Sequence, residues 1–390
     1  MIVNELLAQL APIGLTDGGG YRRFSWTPVD AELRRWFIDQ AGARQLRIEK
    51  DRNANLWAFR GDPGAGEIIG VGSHLDSVPD GGAFDGPLGV ASAFAALDLL
   101  DQQELRPQRP IAVVAFSEEE GARFGVPCLG SRLLTGAIDP DRARALTDAA
   151  GVSLERAMIE AGEDPWHLGA DASLLARLHT YLELHIEQGR GLVDLGHPLA
   201  IGSEIWPHGR WRLDFLGKAD HAGTTRMQDR DDPMARFAAT VLRVLEGARS
   251  GDTRATFGRL QVAPNSTNAI PSRVTAWLDA RAATEAALES LVATVGSDVS
   301  MTVESLTRRV EFDSHLRDRL AGILGGVPVL PTAAGHDAGV LAEAGVSSAM
   351  LFVRNPTGIS HSPAEHATAE DCIVGTESLA RVLSDLGGFQ

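Results

Sequence analysis

The sequence feature that most constrains this chain is an apolar run that stops on metal-type ligands. Residues 67–71 (EIIGV) have the make-up of a buried strand and run into Ser73, His74, Leu75 and Asp76. His74 and Asp76 stand two apart, so on an extended chain both side chains project to one side. A Gly/Pro/Asp turn follows, then Phe84-Asp85-Gly86. From Leu88 the pattern becomes helical, with Ala, Phe and Leu recurring through Leu100. A His and two carboxylates thus sit at a strand end and the mouth of the next helix, where α/β proteins place their ligands. Imidazole and carboxylate together suit zinc, manganese or cobalt.

The same punctuation recurs three times. Residues 111–116 (IAVVAF) form a continuous apolar run, typical of a central buried strand, and end at Ser117-Glu118-Glu119-Glu120-Gly121. Residues 181–186 (YLELHI) carry His185 into Glu187-Gln188-Gly189, and 348–353 (SAMLFV) lead to Ser360-His361-Ser362-Pro363. Taken alone, three glutamates in a row are a solvated charge run, and His185 is a satisfied core histidine. Four polar strand ends in one chain are not explained by core packing. A two-metal hydrolase needs a carboxylate bridging cations ~3.5–4 Å apart. Each cation needs about two further protein ligands and an open position, and a carboxylate that binds no metal must serve as general base. Asp85 is the candidate bridge, Glu120 a ligand and Glu119 the base.

The 390 residues predict two or three domains at roughly 150 residues each. A net charge of −16 argues against nucleic acid and anionic membranes as partners. Two cysteines without metal-type spacing, Cys128 and Cys372, fit a reducing compartment. The N-terminal residues Met1 to Leu15 lack a basic flank and carry Glu5, so they read as an amphipathic helix rather than a signal peptide. With no run of about 18 apolar residues, a cytoplasmic protein is expected. From about Trp206 the pattern changes to β-α-β-β-α-β, the ferredoxin-like unit, before the first pattern resumes near His336. The fold class expected is α/β: a mixed-sheet α/β/α domain over residues 1–206 and 316–390, with a ferredoxin-like insertion over 207–315.

The motifs GSHLDSVPDGGAFDGPLGV, FSEEEGARFG, ELHIEQG, ADHAGTTRM, NSTNAIPSRV, AGHDA and GISHSPAE resemble the hydantoinase/carbamoylase-type amidases. These belong to the dinuclear-metal superfamily of carboxypeptidase G, aminoacylase and peptidase T. The resemblance runs in order over nearly the whole chain. It implies two divalent ions per chain: zinc, or manganese, cobalt or nickel. His74, Asp85 and His185 would hold one; Asp85, Glu120 and His361 the other. Glu119 would be the base, and Asp76 would orient the His74 imidazole. For substrate it points to Gln188, to His221 reached from a partner subunit, to Asn268, to Arg281 as carboxylate clamp, and to Gly358 in the pocket wall. It also implies a homodimer built through the inserted domain, which would act as a lid. This chain departs from the family pattern at Arg226, where Pro is usual, and at Ala280, where Ile is usual. His336-Asp337 and His208 receive no role beyond packing or support.

The activity so implied is hydrolysis of the ureido amide of an N-carbamoyl-L-amino acid or related ureido acid, releasing ammonia and carbon dioxide. Glu119 would take the water proton and return it to the leaving nitrogen. Arg281 would grip the substrate carboxylate bidentately. Allantoate hydrolysis uses the same constellation. HIEQG argues against a dipeptidase or aminoacylase, and an intact ligand set argues against a catalytically silent scaffold.

Overall fold

The structure, a computed structural model, describes residues 2–64 and 66–388. Fifteen strands follow in chain order among these residues. They are β1 (Arg47–Lys50), β2 (Leu56–Arg60), β3 (Ile68–His74), β4 (Ile111–Phe116), β5 (Leu178–Ile186), β6 (Leu199–Ile205), β7 (His208–Leu216) and β8 (Asp220–His221). After them come β9 (Arg254–Ala263), β10 (Ala269–Ile270), β11 (Arg273–Arg281), β12 (Ser300–Thr307), β13 (Val310–Glu311), β14 (Val329–Thr332) and β15 (Ser347–Val353).

The chain divides into two compact units, Met1–Ser203 with Glu311–Gln390, and Glu204–Val310. The crossings fall a few residues earlier than the sequence boundaries after Trp206 and before Leu316. The return crossing is early because the chain rejoins the first unit's sheet at once: the Phe312 N–H donates to the Ser203 carbonyl at 3.1 Å.

The first unit is built on one nine-stranded mixed sheet in the order β1-β2-β4-β3-β5-β15-β6-β13, with β14 also on β6. β3 lies between β4 and β5 and is parallel to both, and β15 is parallel to β5. The four strands that end on polar residues therefore deliver those ends to one edge of the sheet. β3 and β4 are buried along their whole length, as expected for parallel strands covered on both faces. The helix Pro87–Gln102 hides nearly every face and packs against β3, the helix Ile2–Leu10 and the C-terminal helix Ala369–Gly387. Its Phe94 meets Phe37 edge-on, at 5.1 Å between ring centres.

The second unit runs β7, a helix Pro233–Ser250, β9, β11, a helix Glu285–Ala293 and β12, with sheet order β12-β7-β11-β9, all antiparallel. Val274, Ala276, Leu278 and Ala280 of β11 alternate into its core beside Trp211, Leu213 and Phe215 of β7. The β8–β10 pair is a separate two-residue ribbon.

The sequence-predicted first helix closes at Leu10, and its Met1 lies outside the described residues. Several elements escaped the sequence reading: the helices Ala172–Arg177, Gly191–Leu195 and Ser314–Leu324, and the strands β6 and β14. No helix among the described residues is long and apolar enough to cross a membrane.

Both cysteines are buried and free. Burial pushes the Cys372 thiol up to about 12, with Asp371 adding to the shift. Burial also raises Cys128 well above the ordinary thiol range, helped by Glu119. Since the thiolate is the reactive form, the native protein is expected to leave an aromatic disulfide reagent unreacted. Two thiols should titrate in denaturant; rapid native reaction of either would contradict this burial.

Candidate metal centre

The site starts from the ends of β3, β4 and β5. His74, the last residue of β3, turns its Nδ1 to the Asp76 carbonyl at 3.1 Å. His185, at the end of β5, turns its Nδ1 to the Ile186 carbonyl at 2.9 Å. A carbonyl only accepts, so both Nδ1 atoms carry a proton, which leaves Nε2 as the ring nitrogen free to bind a cation. Gly86 makes room for this. Its φ is +84°, and a Cβ there would lie 2.4 Å from the His74 ring.

Asp85 is the hub. Its Oδ1 lies 3.1 Å from His185 Nε2 and 3.5 Å from His74 Nε2. Its Oδ2 lies 3.6 Å from His361 Nε2, which is itself 3.6 Å from Glu120 Oε2. The two oxygens of one carboxylate are divided between two ligand sets, His74/Asp85/His185 and Asp85/Glu120/His361. Ligands held at 2.0–2.1 Å around a tetrahedral ion stand roughly 3.3–3.4 Å from one another, and the observed spacings, 3.1 to 3.6 Å, lie on either side of that. His185 Nε2 is buried with no hydrogen bond aligned on it. Both observations fit a cation in each set.

The electrostatics agree. Burial pushes Glu119 and Glu120 well above the usual carboxylate range. Neighbouring acids add to it: Asp337 beside Glu119, Asp85 beside Glu120. Burial disfavours a charged His74, but Glu119, Asp76 and Asp85 outweigh it and raise the imidazole well above its ordinary value. Acids crowded this way lack positive charge, which divalent ions supply.

The remaining polar groups lock this arrangement. The Asp76 carboxylate accepts the backbone N–H of Glu119 and of Glu120, both at 3.1 Å. Its nearer oxygen is 3.6 Å from His74 Nδ1, so its hydrogen bonds serve the glutamates more than the imidazole. Gln188 Nε2 donates to Asp85 Oδ2 at 2.8 Å. Glu365 went unnoticed in the sequence. It accepts the N–H of Phe84 (2.9 Å) and of Asp85 (3.0 Å), and Ser360 Oγ donates to Asp85 Oδ2 at 3.1 Å. Burial, then Asp85, pushes Glu365 up to about 7. Its one sequence signal is that it is the sole acid in the loop 355–368. A third grouping, Glu183/His185/His336, shares His185. Both Glu183 oxygens already accept hydrogen bonds, from Ser73 Oγ and the Ala338 N–H, so it reads as structural.

A model of peptidase family M20/M25/M40 matches residues 70–385. The chain belongs to that family. M20 enzymes are metal-dependent hydrolases, and this chain is an amidohydrolase among them. It is 37% identical to an N-carbamoyl-L-amino acid amidohydrolase of Geobacillus stearothermophilus, over 96% of this chain and 95% of that one. It is 31% identical to an allantoate amidohydrolase of Escherichia coli K12, over 98% and 97%. It superposes with a TM-score of 0.89 on the crystal structure of a hydantoinase/carbamoylase-family amidase from Burkholderia vietnamiensis, at 27% identity over 98% and 96%.

Of the other residues singled out in this M20 chain, Gly358 sits in the first unit at φ +63°. Its α-carbon packs against Arg190 so closely that a Cβ would lie 2.3 Å from Arg190 Cγ. His221, Asn268 and Arg281 belong to the second unit. His221, in β8, pairs with Ala269 of β10, and the Ala222 N–H donates to the Asn268 carbonyl at 3.0 Å. His221 Nδ1 accepts the N–H of Gly223 and of Thr224 (3.1 and 3.2 Å), which leaves the proton on Nε2. Arg281, at the end of β11, places Nε 2.8 Å and Nη2 3.2 Å from the two oxygens of Asp279. Arg226 is exposed and paired with Asp229 at 2.6 Å.

Replacing Asp76 by Asn removes one of the two acceptors that hold the Glu119–Glu120 backbone. Partners that orient metal ligands typically matter ~10–100-fold. The expected outcome is a kcat lower by about that factor, with weaker retention of metal by elemental analysis. Full activity with full metal content would show that those two N–H bonds do not control the site.

Proposed function

We propose that this protein hydrolyses the ureido amide of N-carbamoyl-L-amino acids, using two divalent cations per chain. The observation that carries the reading is the division of Asp85 Oδ1 and Oδ2 between two ligand sets, beside a buried glutamate in neither. In it, His74, Asp85 and His185 hold one cation, and Asp85, Glu120 and His361 the other. When bound, the cations act as Lewis acids on water and on the substrate carbonyl.

The chain's own groups do the rest. Glu119 takes a proton from the attacking water and returns it to the leaving nitrogen as the C–N bond breaks. The free amino acid, ammonia and carbon dioxide follow. His221, with its proton fixed on Nε2, can donate to the oxygen that gains negative charge. Arg281, pre-oriented by Asp279, supplies a planar fork for the substrate carboxylate, and Gln188, Asn268 and Gly358 complete the substrate's surroundings. The first unit is the catalytic domain and the second a lid that also forms a homodimer. Free buried thiols suit a cytoplasmic location.

The 37% identity to an N-carbamoyl-L-amino acid amidohydrolase supports this substrate first. A second reading, allantoate, is favoured by the 31% relative that spans nearly the whole chain. An ammonia-release panel separates them: zinc- or manganese-loaded protein against N-carbamoyl amino acids, allantoate and β-ureidopropionate, with dipeptides followed by the amino acids they release. The highest kcat/KM is expected on an N-carbamoyl-L-amino acid. Chelator dialysis should abolish it and divalent metal restore it. Turnover undiminished after chelation would remove the metal mechanism altogether.

The shared site has its own test. Chains carrying His221→Ala are mixed with chains carrying Glu119→Gln and allowed to exchange. If each site borrows His221 from its partner, one of the two sites in every mixed dimer regains both groups and activity returns. Proven heterodimers that stay inactive would exclude the exchange.

A further inference from the structure

Glu119 is held at both ends. Its Oε2 faces the candidate metal ligands, 3.6 Å from His74 Nε2. Its Oε1 points the other way, onto Cys128 Sγ at 3.3 Å. Cys128 is 2% exposed. A carboxylate acting as base is ionised and only accepts, so toward it the thiol is the donor.

The backbone brings the thiol there by design of the turn rather than by chance packing. The N–H groups of Cys128, Leu129 and Gly130 donate in succession to the carbonyls of Glu119 (2.6 Å), Glu118 (3.0 Å) and Ser117 (2.9 Å). These are the N–H groups at the mouth of the helix Leu129–Thr135, so the strand end satisfies them. Cys128 itself is left-handed, at φ 53° and ψ 38°. One turn into the helix, Ser131 Oγ donates to Asp337 Oδ1 at 2.5 Å. Asp337 is fully buried and opens the helix Asp337–Glu343. The AGHDA motif thus anchors the helix whose first residue before the N-terminus is Cys128.

We propose that Cys128 is a positioning residue for the general base. Its S–H fixes Oε1, which leaves Oε2 as the one oxygen presented to the attacking water. Without it the carboxylate can rotate about its last torsion, which is broad for an sp³–sp² bond, and the productive orientation is populated for less of the time. This rests on Glu119 being the base.

The experiment compares Cys128→Ala, which loses the donor, with Cys128→Ser, which keeps one. Both residues share the cost of a left-handed backbone, so the difference between them reports the hydrogen bond. A thiol is a weak donor to a charged acceptor, and ~3–10-fold in kcat is expected for the alanine variant. KM and metal content should be unchanged, and serine should recover at least half of the lost kcat. Wild-type kcat in Cys128→Ala overturns the proposal, as does a serine variant as slow as alanine. A kcat that falls only in step with bound metal or folded fraction also overturns it, because the thiol would then be filling space. A Glu119→Gln control keeps the two claims apart. If it retains metal and loses turnover, the base stands whatever Cys128 does. If it remains active, the reading of Glu119 fails first.

Discussion

The interaction on which the rest depends is the burial of many carboxylates at one edge of a sheet. Asp76, Asp85, Glu118, Glu119, Glu183, Asp337 and Glu365 are all buried there, with Glu120 at their margin. An ionised carboxylate removed from water is costly unless it is paired or hydrogen-bonded. Most of these are answered by backbone N–H groups. Asp76 takes those of Glu119 and Glu120, Glu365 those of Phe84 and Asp85, and Glu118 those of Arg123 and Phe124. Such acids act as staples, each binding a loop that bears a ligand. The oxygens with no such donor are Asp85 Oδ1, Glu119 Oε2 and Glu120 Oε2, each of which faces an imidazole. The chemistry is located where the protein's own donors run out.

The parallel core of the sheet makes this arrangement possible. β3, β4, β5 and β15 point the same way, so loops distant in sequence meet at their C-terminal ends. His74, Glu119 and Glu120, and His185 arrive directly from three strands, while His361 arrives from the loop after the fourth. The helix Pro87–Gln102 closes in behind Asp85. Its small residues let it settle on the sheet: a Cβ on Gly89 would lie 2.3 Å from the Leu184 carbonyl.

Much of this was legible from sequence because apolar strands with abrupt polar ends leave a sharp local signature. The two candidate ligand groups, drawn from His74, Asp85, Glu120, His185 and His361, were singled out from that signature and the motifs around it, and the structure brings those residues together. The ferredoxin-like order of the second unit followed from alternation, as in His208–Leu216, where half-buried and buried positions exchange residue by residue. What stayed hidden is tertiary in origin. Ser314–Leu324 is amphipathic but dense with Arg and Asp, and its Leu316, Leu320 and Leu324 are buried only because the first unit covers them. β6 follows a turn of Gly and Pro, and its pairing with β15 decides it. Glu365 and Cys128 stand in loops without periodicity. Their partners, Asp85 and Glu119, lie 280 and 9 residues away, and no local pattern links them.

The histidines show how backbone groups alone can assign opposite tasks to one side chain. At His74 and His185 a carbonyl accepts the Nδ1 proton, so Nε2 is the ring nitrogen turned to the carboxylates and left to bind a cation. At His221 two N–H groups occupy Nδ1, so Nε2 keeps its proton and can only donate. The peptide groups that set which nitrogen faces outward lie one to three residues away in the chain. A ligand histidine held in the other tautomer would present an N–H to a cation, and a donor histidine would present a lone pair to an oxyanion. Both mismatches would be repulsive. In this chain the short segments Ser73–Asp76, His185–Glu187 and Asp220–Thr225 therefore carry more of the chemistry than the side chains alone convey.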